Sequence, residues 1–582
     1  TDERLLRYEL GMYIRDVRTV LIDAEAQKEL LARAYAHTRG PAVAFLNDHF
    51  TSSNPFEKAH RQRVEVEVRS ILQLSEKTWQ MQWLETPRSL DGRNEPSQAW
   101  QAPETTAIGA FFDTPVMANE NHSGLLLLPE DRRAFVARFA LAAQAERTLD
   151  LQYYLWKGDN TGLALIHQVL AAADRGVQVR ILMDDIYHTG RDRAYRILDQ
   201  HPNVQVRLFN PIGNRGIGRW GNYLGRKSEL NHRMHNKIFL VDNAAAILGG
   251  RNIGDDYFGI DPKIIFHDLD VLAVGPVAQE AGAAFDLYWN SDRSYPMTVV
   301  DPEDLPLNAL RDWRRELDAN IGEFIAKLPY AVPLEGQALT EALQELEDEL
   351  TWAAAEVVVD PLDRFEGGGE RSVFELLGER LNRDVEDEVV IQTAYLIPTQ
   401  EGIDFVANNI DRGVRYRVMT NSLLSNNHIS VHGHYQKYRK SLLEAGVELY
   451  ELRADTELIE YYRRTDQKLA DSNAGLHTKA FVVDGRYSMI GSYNMDPRSR
   501  IWNSEIGLLV DSEPFAEKVL QVMNQQFEPE NAYRLDLDER GKLRWTLDLP
   551  EGSQTWSKDP ESPWYKRWSA RFIGWLPIEQ EL

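Results

Sequence analysis

One polar pattern occurs twice at a fixed separation, and nothing else in the chain constrains its fold as tightly. His235-Asn-Lys237-Ile-Phe-Leu-Val-Asp242 leads to Gly249-Gly250-Arg-Asn252. His477-Thr-Lys479-Ala-Phe-Val-Val-Asp484 leads to Gly491-Ser492-Tyr-Asn494. The shared His, Lys, Asp, Gly and Asn positions are all offset by the same 242 residues. In each copy His and Lys alternate at the head of an apolar run, the period-2 pattern of a strand with one functional side. Imidazole, ammonium and a nearby carboxamide together suit an anionic centre such as a phosphodiester. The ring can attack or move a proton while Lys and Asn hold the non-bridging oxygens.

HxKxxxxD followed by GGxN or GSxN, present twice in register, resembles the phospholipase D superfamily. A single HxK would carry little information. The resemblance implies a two-half α/β architecture with both HxK strands at one central cleft. The expected fold class is therefore α/β: two similar phospholipase D-like domains with mixed, largely parallel sheets facing each other, plus an N-terminal α+β domain.

At 582 residues the chain predicts several domains, each able to bury its own core. It has no cysteine, which excludes disulfides, thiol catalysis and Cys-based zinc sites. A net charge of -25 opposes non-specific binding to nucleic acid and to anionic surfaces, so any phosphate site must be a local basic patch. No apolar run approaches 18 residues and no signal-peptide pattern is present, so no transmembrane helix is expected.

Residues 1–115 are read as an accessory α+β domain. Leu10, Ile14, Val17 and Leu21 fall at helical spacing, and Gln27 to His37 continues in helix. Arg63-Val64-Glu65-Val66-Glu67-Val68 alternates strictly, and Trp79-Gln-Met81-Gln-Trp83-Leu84 follows a polar turn, as two half-buried antiparallel strands would. Tyr13 to Arg18, Asn54-Pro55-Phe56 and Thr78 to Thr86 resemble TrbF-type (VirB-like) components of conjugative secretion, incomplete beyond Trp100. That resemblance implies a domain that binds a protein partner, and a plain accessory domain remains the alternative.

Residues 116–300 and 386–540 read as the two similar domains. Strand 149–156, a helix over 162–173 ending at Asp174-Arg175-Gly176, and strand 177–183 recur as strand 389–391, a helix over 401–410, Asp411-Arg412-Gly413 and strand 414–418. Strand, helix, strand predicts parallel pairing with right-handed crossovers. Residues 301–385 form a helical, acidic connector that loosens at Glu366 to Glu370, and 541–582 form an aromatic-basic tail. Asn214 to Arg233 carries six cationic or imidazole residues with Trp220 and Tyr223, a candidate headgroup-capturing loop. His428, His432 and His434 are read as cleft-lining rather than metal-binding. Trp564 to Leu576 suits either a membrane interface or docking on the protein body.

By resemblance, one His attacks phosphorus and the other protonates the leaving alkoxide; His235 is read as nucleophile and His477 as acid/base. Lys237, Lys479, Asn252 and Asn494 cradle the phosphoryl oxygens, and Asp268 and Glu505 orient the imidazoles, each from its own half or the facing one. Asp242 and Asp484 complete the motif, though their places after apolar runs suit tying strand ends better than chemistry. Arg233, Gly249, Gly250, Gly491, Ser492, Asn421 and Tyr153 are read as substrate-binding. No metal or other cofactor is required.

Arg233 to Lys237, Gly249 to Asp255, Thr420 to Leu423 and Asn494 to Ser499 narrow the resemblance to the bacterial cardiolipin synthases of the C type. That implies phosphatidyl transfer from phosphatidylglycerol or phosphatidylethanolamine to another phospholipid's headgroup alcohol, on a peripheral protein of the bacterial inner membrane. A hydrolase would share every catalytic residue, nucleic acid is disfavoured by charge, and a non-enzymatic secretion component would not need both motifs.

Overall fold

The computed structural model describes all residues except 1–2, 22–23, 53, 57–61, 76–77, 90–96, 120–121, 188–191, 213–229, 302–304, 307, 333–343, 345–346, 366–371, 376, 379–384 and 551. Arg215 to Lys227 of the basic loop, and Glu366 to Glu370, thus lie outside the described residues. The chain divides into two compact units, Thr1–Ser97 with Tyr295–Pro302, and Gln98–Ser294 with Glu303–Leu582.

The first unit opens with α1 (Glu3–Arg18), α2 (Ala24–Ala36) and α3 (Pro41–Ser52), followed by a hairpin of β1 (Gln62–Ser75) and β2 (Thr78–Ser89). Ile14 is in the core, but Leu21 falls beyond the end of α1. Buried Asp16 of α1 takes Arg33 of α2 at 2.7 Å, and Val20 bridges Val64 of β1.

The second unit holds both copies of the repeat. Its first half runs β3 (Ser123–Leu128), α4 (Asp131–Gln144), β4 (Thr148–Tyr153), α5 (Asn160–Asp174), β5 (Gln178–Asp184), β6 (Val204–Phe209), β7 (Arg233–Met234), β8 (Ile238–Val241), β9 (Ala245–Gly249), β10 (Ile264–His267), β11 (Asp270–Val274) and α6 (Pro276–Trp289). The connector supplies α7 (Ala309–Ala326) and β12 (Thr351–Val359). The second half follows with β13 (Glu388–Thr393), α8 (Gln400–Asp411), β14 (Arg415–Asn421), α9 (Ile429–Tyr435), β15 (Glu448–Leu452), β16 (Asn473–Leu476), β17 (Lys479–Val483), β18 (Tyr487–Gly491), β19 (Asn503–Ser504), β20 (Ile506–Asp511) and α10 (Glu513–Phe527).

Within the sheet of each half, parallel strand pairing is confined to β4-β5-β6 and β13-β14-β15. The HxK strands β8 and β17 then join antiparallel, as do β9, β11 and β3, and β18 and β20. The sheets are therefore mixed, and their parallel part is narrower than a strand-helix-strand repeat suggests. Parallel pairing needs a long crossover, which the chain supplies between β4, β5 and β6 and between β13, β14 and β15, and past each HxK motif it turns back tightly. Both turns carry two residues at positive φ, Asp242 (52°) with Asn243 (54°) and Asp484 (50°) with Gly485 (61°), the hairpin geometry that matches strand twist.

The crossover helices share their punctuation. Asp159 and Thr399 accept hydrogen bonds from the Gly162 and Gly402 N–H groups, and Gly176 and Gly413 follow the helix ends at φ 100° and 101°. Strand β12 pairs with β3 through Thr351–Ala353 and with β20 through Ala354–Val359, so one strand belongs to the sheets of both halves.

Two short parallel pairings also link the halves. β7 lies beside β19, with Arg233 opposite Asn503 and Met234 opposite Ser504, while β10 lies beside β16, with His267 opposite Leu476. Nε2 of His267 is buried without a hydrogen-bond partner, and burial, with Arg251 nearby, pushes that imidazole down to about 4. Among the described residues no helix is long and apolar enough to cross a membrane.

Asp242 is fully buried, and its carboxylate accepts the N–H groups of Glu146, Arg147 and Thr148 at 2.7–3.3 Å. Asp484 does the same for Glu386, Asp387 and Glu388. Asp242→Ala strands three backbone donors, so urea unfolding should show a loss of about 3 kcal/mol while turnover per folded molecule changes little. For His267 the folded value lies below the ordinary 6.5, so the unfolded chain binds more protons between those limits. Its contribution is complete above about pH 6.5 and is withdrawn as pH falls toward 4. Thermal melts of His267→Gln, read as the difference from the parent at each pH, should show a shallower acid fall.

Candidate active site

The two interhalf pairings set the site. One residue past the β7–β19 pair, the register brings His235 beside Glu505; one residue past β10–β16, it brings His477 beside Asp268. Backbone bonds fix both, from His235 N–H to the Ser504 carbonyl (2.9 Å) and from His477 N–H to the His267 carbonyl (2.8 Å). Nδ1 of His235 lies 2.8 Å from Oε2 of Glu505, and Nδ1 of His477 lies 2.5 Å from Oδ2 of Asp268. Each acid serves the imidazole of the facing half. With Nδ1 engaged, Nε2 is the nitrogen each ring has for chemistry.

Both rings line one cleft of about 880 Å³, together with Asn252, Asn494, Lys157, Arg498 and several aromatics. Tyr154 stands edge-on to His235 at 4.7 Å, and Tyr257 edge-on to His477 at 5.0 Å. The Tyr257 hydroxyl takes a hydrogen bond from Asn252 Nδ2 at 3.0 Å and lies 3.5 Å from Nε2 of His477.

The motif lysines sit behind the histidines. Nζ of Lys237 donates to the His235 carbonyl and Nζ of Lys479 to the His477 carbonyl, and neither lysine lines the main cleft. Burial holds Lys237 well below the ordinary lysine value and Lys479 at about 8. Burial also lowers His235 to about 4, against the pull of Glu505, and holds His477 well below the ordinary imidazole value, with Lys479 and Lys237 adding to the effect. Glu505 is held below the usual carboxylate range by His235 and Lys237 in spite of its desolvation, whereas burial raises Asp268. An anion entering beside these groups would favour their charged forms.

The seven residues expected to bind substrate do not line the cleft. Tyr153 is fully buried against Arg138, and its neighbour Tyr154 faces the cleft instead. Strand β4 is buried on both sides, so alternation could not say which tyrosine faced outward. In the second half Tyr395 lines the cleft, but the equivalent strand pairings match it to Leu155 of the first half, so the repeat does not single out Tyr154 either. Arg233 is fully buried, donating to the Leu230 and Asn210 carbonyls and facing Asp184. Asn421 holds both the N–H and the carbonyl of Leu476, just before His477. Ser492 donates to Glu505 at 2.5 Å.

The glycines admit the acids. A Cβ on Gly250 would strike the Asp268 carboxylate, one on Gly249 (φ 158°) the Asp270 carboxylate, and one on Gly491 the Ile506 carbonyl. Asp242 and Asp484, counted with the motif, sit at the hairpin turns and bond only backbone there, so strand-tying is the role their geometry supports. Of the three histidines expected in the cleft, only His428 lines it. His432 and His434 are fully buried and face Asp559 and Glu579 of the C-terminal segment.

Residues 139–289 and 381–528 match the family model described as cardiolipin synthase, PLD-like domain, and residues 1–109 match the VirB8 protein model. Cardiolipin synthase C of Escherichia coli is 37% identical over 464 residues, 78% of this chain and 95% of that protein. An uncharacterised protein of Helicobacter pylori is 32% identical over 473 residues, covering 79% of this chain and 87% of its own length. Phosphatidylserine synthase from Haemophilus influenzae is a solved structure with a TM-score of 0.49 and 13% identity, covering 81% of this chain and 99% of that one. With the family model matching both halves and a relative at 37% identity matched almost end to end, the chain belongs to the cardiolipin synthase family of phospholipase D-like enzymes.

Proposed function

We propose that this chain is a phosphatidyltransferase of the cardiolipin synthase type, which exchanges phospholipid headgroups through a phosphohistidine. The observation that carries the reading is the pair of imidazoles at one cleft, each held at Nδ1 by a carboxylate from the opposite half. Nε2 of His235 attacks the phosphorus of a donor phosphatidylglycerol or phosphatidylethanolamine, and the bond to the headgroup oxygen breaks as that oxygen takes a proton from His477. A second phospholipid's headgroup hydroxyl then gives its proton to His477 and attacks phosphorus. The P–N bond breaks and the electron pair returns to His235.

The nucleophile must be neutral at nitrogen, a state that burial favours at both imidazoles, and an anion entering the cleft favours the protonated state that His477 needs as acid. The Tyr257 hydroxyl beside Nε2 of His477 supports assigning alcohol proton transfer to that side. Asn252 and Asn494 bind the phosphoryl oxygens, and the ammonium groups of Lys237 and Lys479 turn from the histidine carbonyls toward the incoming anion. Asp268 and Glu505 hold ring orientation and stabilise the imidazolium when it forms. The protein works on lipids of a bacterial membrane, associated peripherally, and the VirB8-like segment provides a docking domain for a protein partner.

Incubation with phosphatidylglycerol in mixed micelles, with and without phosphatidylethanolamine, should yield cardiolipin. His235→Ala and His477→Ala should each lower turnover by at least about 1,000-fold. Phosphatidic acid as the main product would move the reading to hydrolysis, and lipid turnover surviving in both variants would overturn it. Glu505→Gln removes the anion that supports the His235 imidazolium and should lower kcat roughly 100-fold with KM little changed.

A further inference from the structure

The duplicated halves account for neither the composition nor the exposure of Trp564 to Leu576. The stretch Trp-Tyr-Lys-Arg-Trp-Ser-Ala-Arg-Phe-Ile-Gly-Trp-Leu has three cations and no carboxylate in a chain whose net charge is -25. Most of it forms helix α11 (Trp564–Gly574). One side of α11 is buried through Ala570 and Gly574 against α9. The contact is backbone to backbone, since a Cβ on Gly433 would strike the Ala570 carbonyl and one on Gly574 the Gly433 carbonyl.

Two of the carboxylates that flank the helix, Asp559 and Glu579, are tied to the protein body, while Glu561 is exposed. Asp559 pairs with Arg439 at 2.8 Å, and Glu579 with Lys437 at 2.9 Å and with Tyr438. This accounts for His432 and His434 as well, because both stand at these anchoring pairs.

The outer side is apolar. Trp564 (72% exposed), Trp568 (62%) and Phe572 (50%) recur every four residues, flanked by Tyr565, Trp575 (86%) and Leu576. Six of the twelve exposed large hydrophobic side chains among the described residues thus fall within these 13 positions, which is a patch rather than scatter. The Trp568 and Phe572 rings stack at 5.5 Å, presenting one face.

The patch lies close to the cleft. Trp575 lies six positions before Glu581, a cleft-lining residue, a span of at most about 22 Å. Helix α9, which carries α11, supplies Ser430 and Val431 to the cleft wall.

We propose that Trp564 to Leu576 is a bilayer-docking surface, its rings seated at headgroup depth and its cations on lipid phosphates, holding the cleft mouth at the membrane. The proposal rests on the reading that the substrate is a membrane phospholipid. Charge selects the occupant. Cations among aromatic rings fit an anionic lipid surface, whereas a second copy of this chain would bring another -25 and an identical cationic patch.

The full chain would be sedimented with vesicles of phosphatidylcholine alone or mixed with phosphatidylglycerol, beside Trp568→Ser/Phe572→Ser/Trp575→Ser and Lys566→Gln/Arg571→Gln. The aromatic variant should lose at least tenfold in vesicle binding and in turnover of vesicle phosphatidylglycerol. Its turnover of monomeric dihexanoyl phosphatidylglycerol should match the parent's. The charge variant should lose the preference for anionic vesicles. Undiminished vesicle binding by the aromatic variant would overturn the proposal. So would a parent dimer that this variant dissolves in sedimentation velocity, since the face would then join two copies. Binding is read without turnover, so it is independent of whether the parent acts on the dihexanoyl lipid, which tests the transferase reading itself.

Discussion

The site depends on two short parallel strand pairings between the halves. Neither β7–β19 nor β10–β16 exceeds four residue pairs, yet each ends one residue before a histidine on one strand and its carboxylate on the other. A buried, unpaired carboxylate is costly, and an imidazole without a fixed acceptor has neither a set tautomer nor a set direction. Pairing across the halves meets both needs at once. It also makes the site contingent on association, because neither half holds a complete His–carboxylate pair by itself.

Around those pairs the protein commits small and polar residues to support. Ser492 and Asn503 orient Glu505, Asn421 fixes the strand before His477, and Gly250 leaves room for Asp268. Low-dielectric surroundings then do the electrostatic work. They favour the neutral imidazoles and weaken the lysines' hold on their protons, and an entering phosphodiester would shift both back toward their charged forms. The strongly acidic surface leaves this chemistry local, with Lys157 and Arg498 the cations that line the cleft.

Much of the fold was legible because the repeat reaches down to its punctuation. Gly176 and Gly413, and the positive-φ turns at Asp242 and Asp484, are places where backbone geometry restricts the residue. The N-terminal hairpin was legible for the same kind of reason, since strict alternation at Val64, Val66 and Val68 has few other solutions. Site roles were less legible. Arg233, Asn421 and Ser492 share residue types with phosphate-binding groups, and only their hydrogen-bond partners show that they brace the machinery. Tyr153 and Tyr154 differ by one position in a strand buried on both sides, where no polarity contrast separates inside from cleft.

The tail shows the same division. Its composition allowed a membrane interface or a docked helix, and the folded chain has α11 docked through Ala570 and Gly574 with its aromatic side left outward. The sequence by itself determined which residues to look for, the two histidines and two lysines through duplicated strands whose periodicity and turn residues are local signals, and the two acids through the family resemblance. Only the tertiary structure decided which acid serves which histidine and which of the two tyrosines faces the cleft. Those are contacts between residues over 200 positions apart, or between neighbours in a fully buried strand, and no local pattern encodes them.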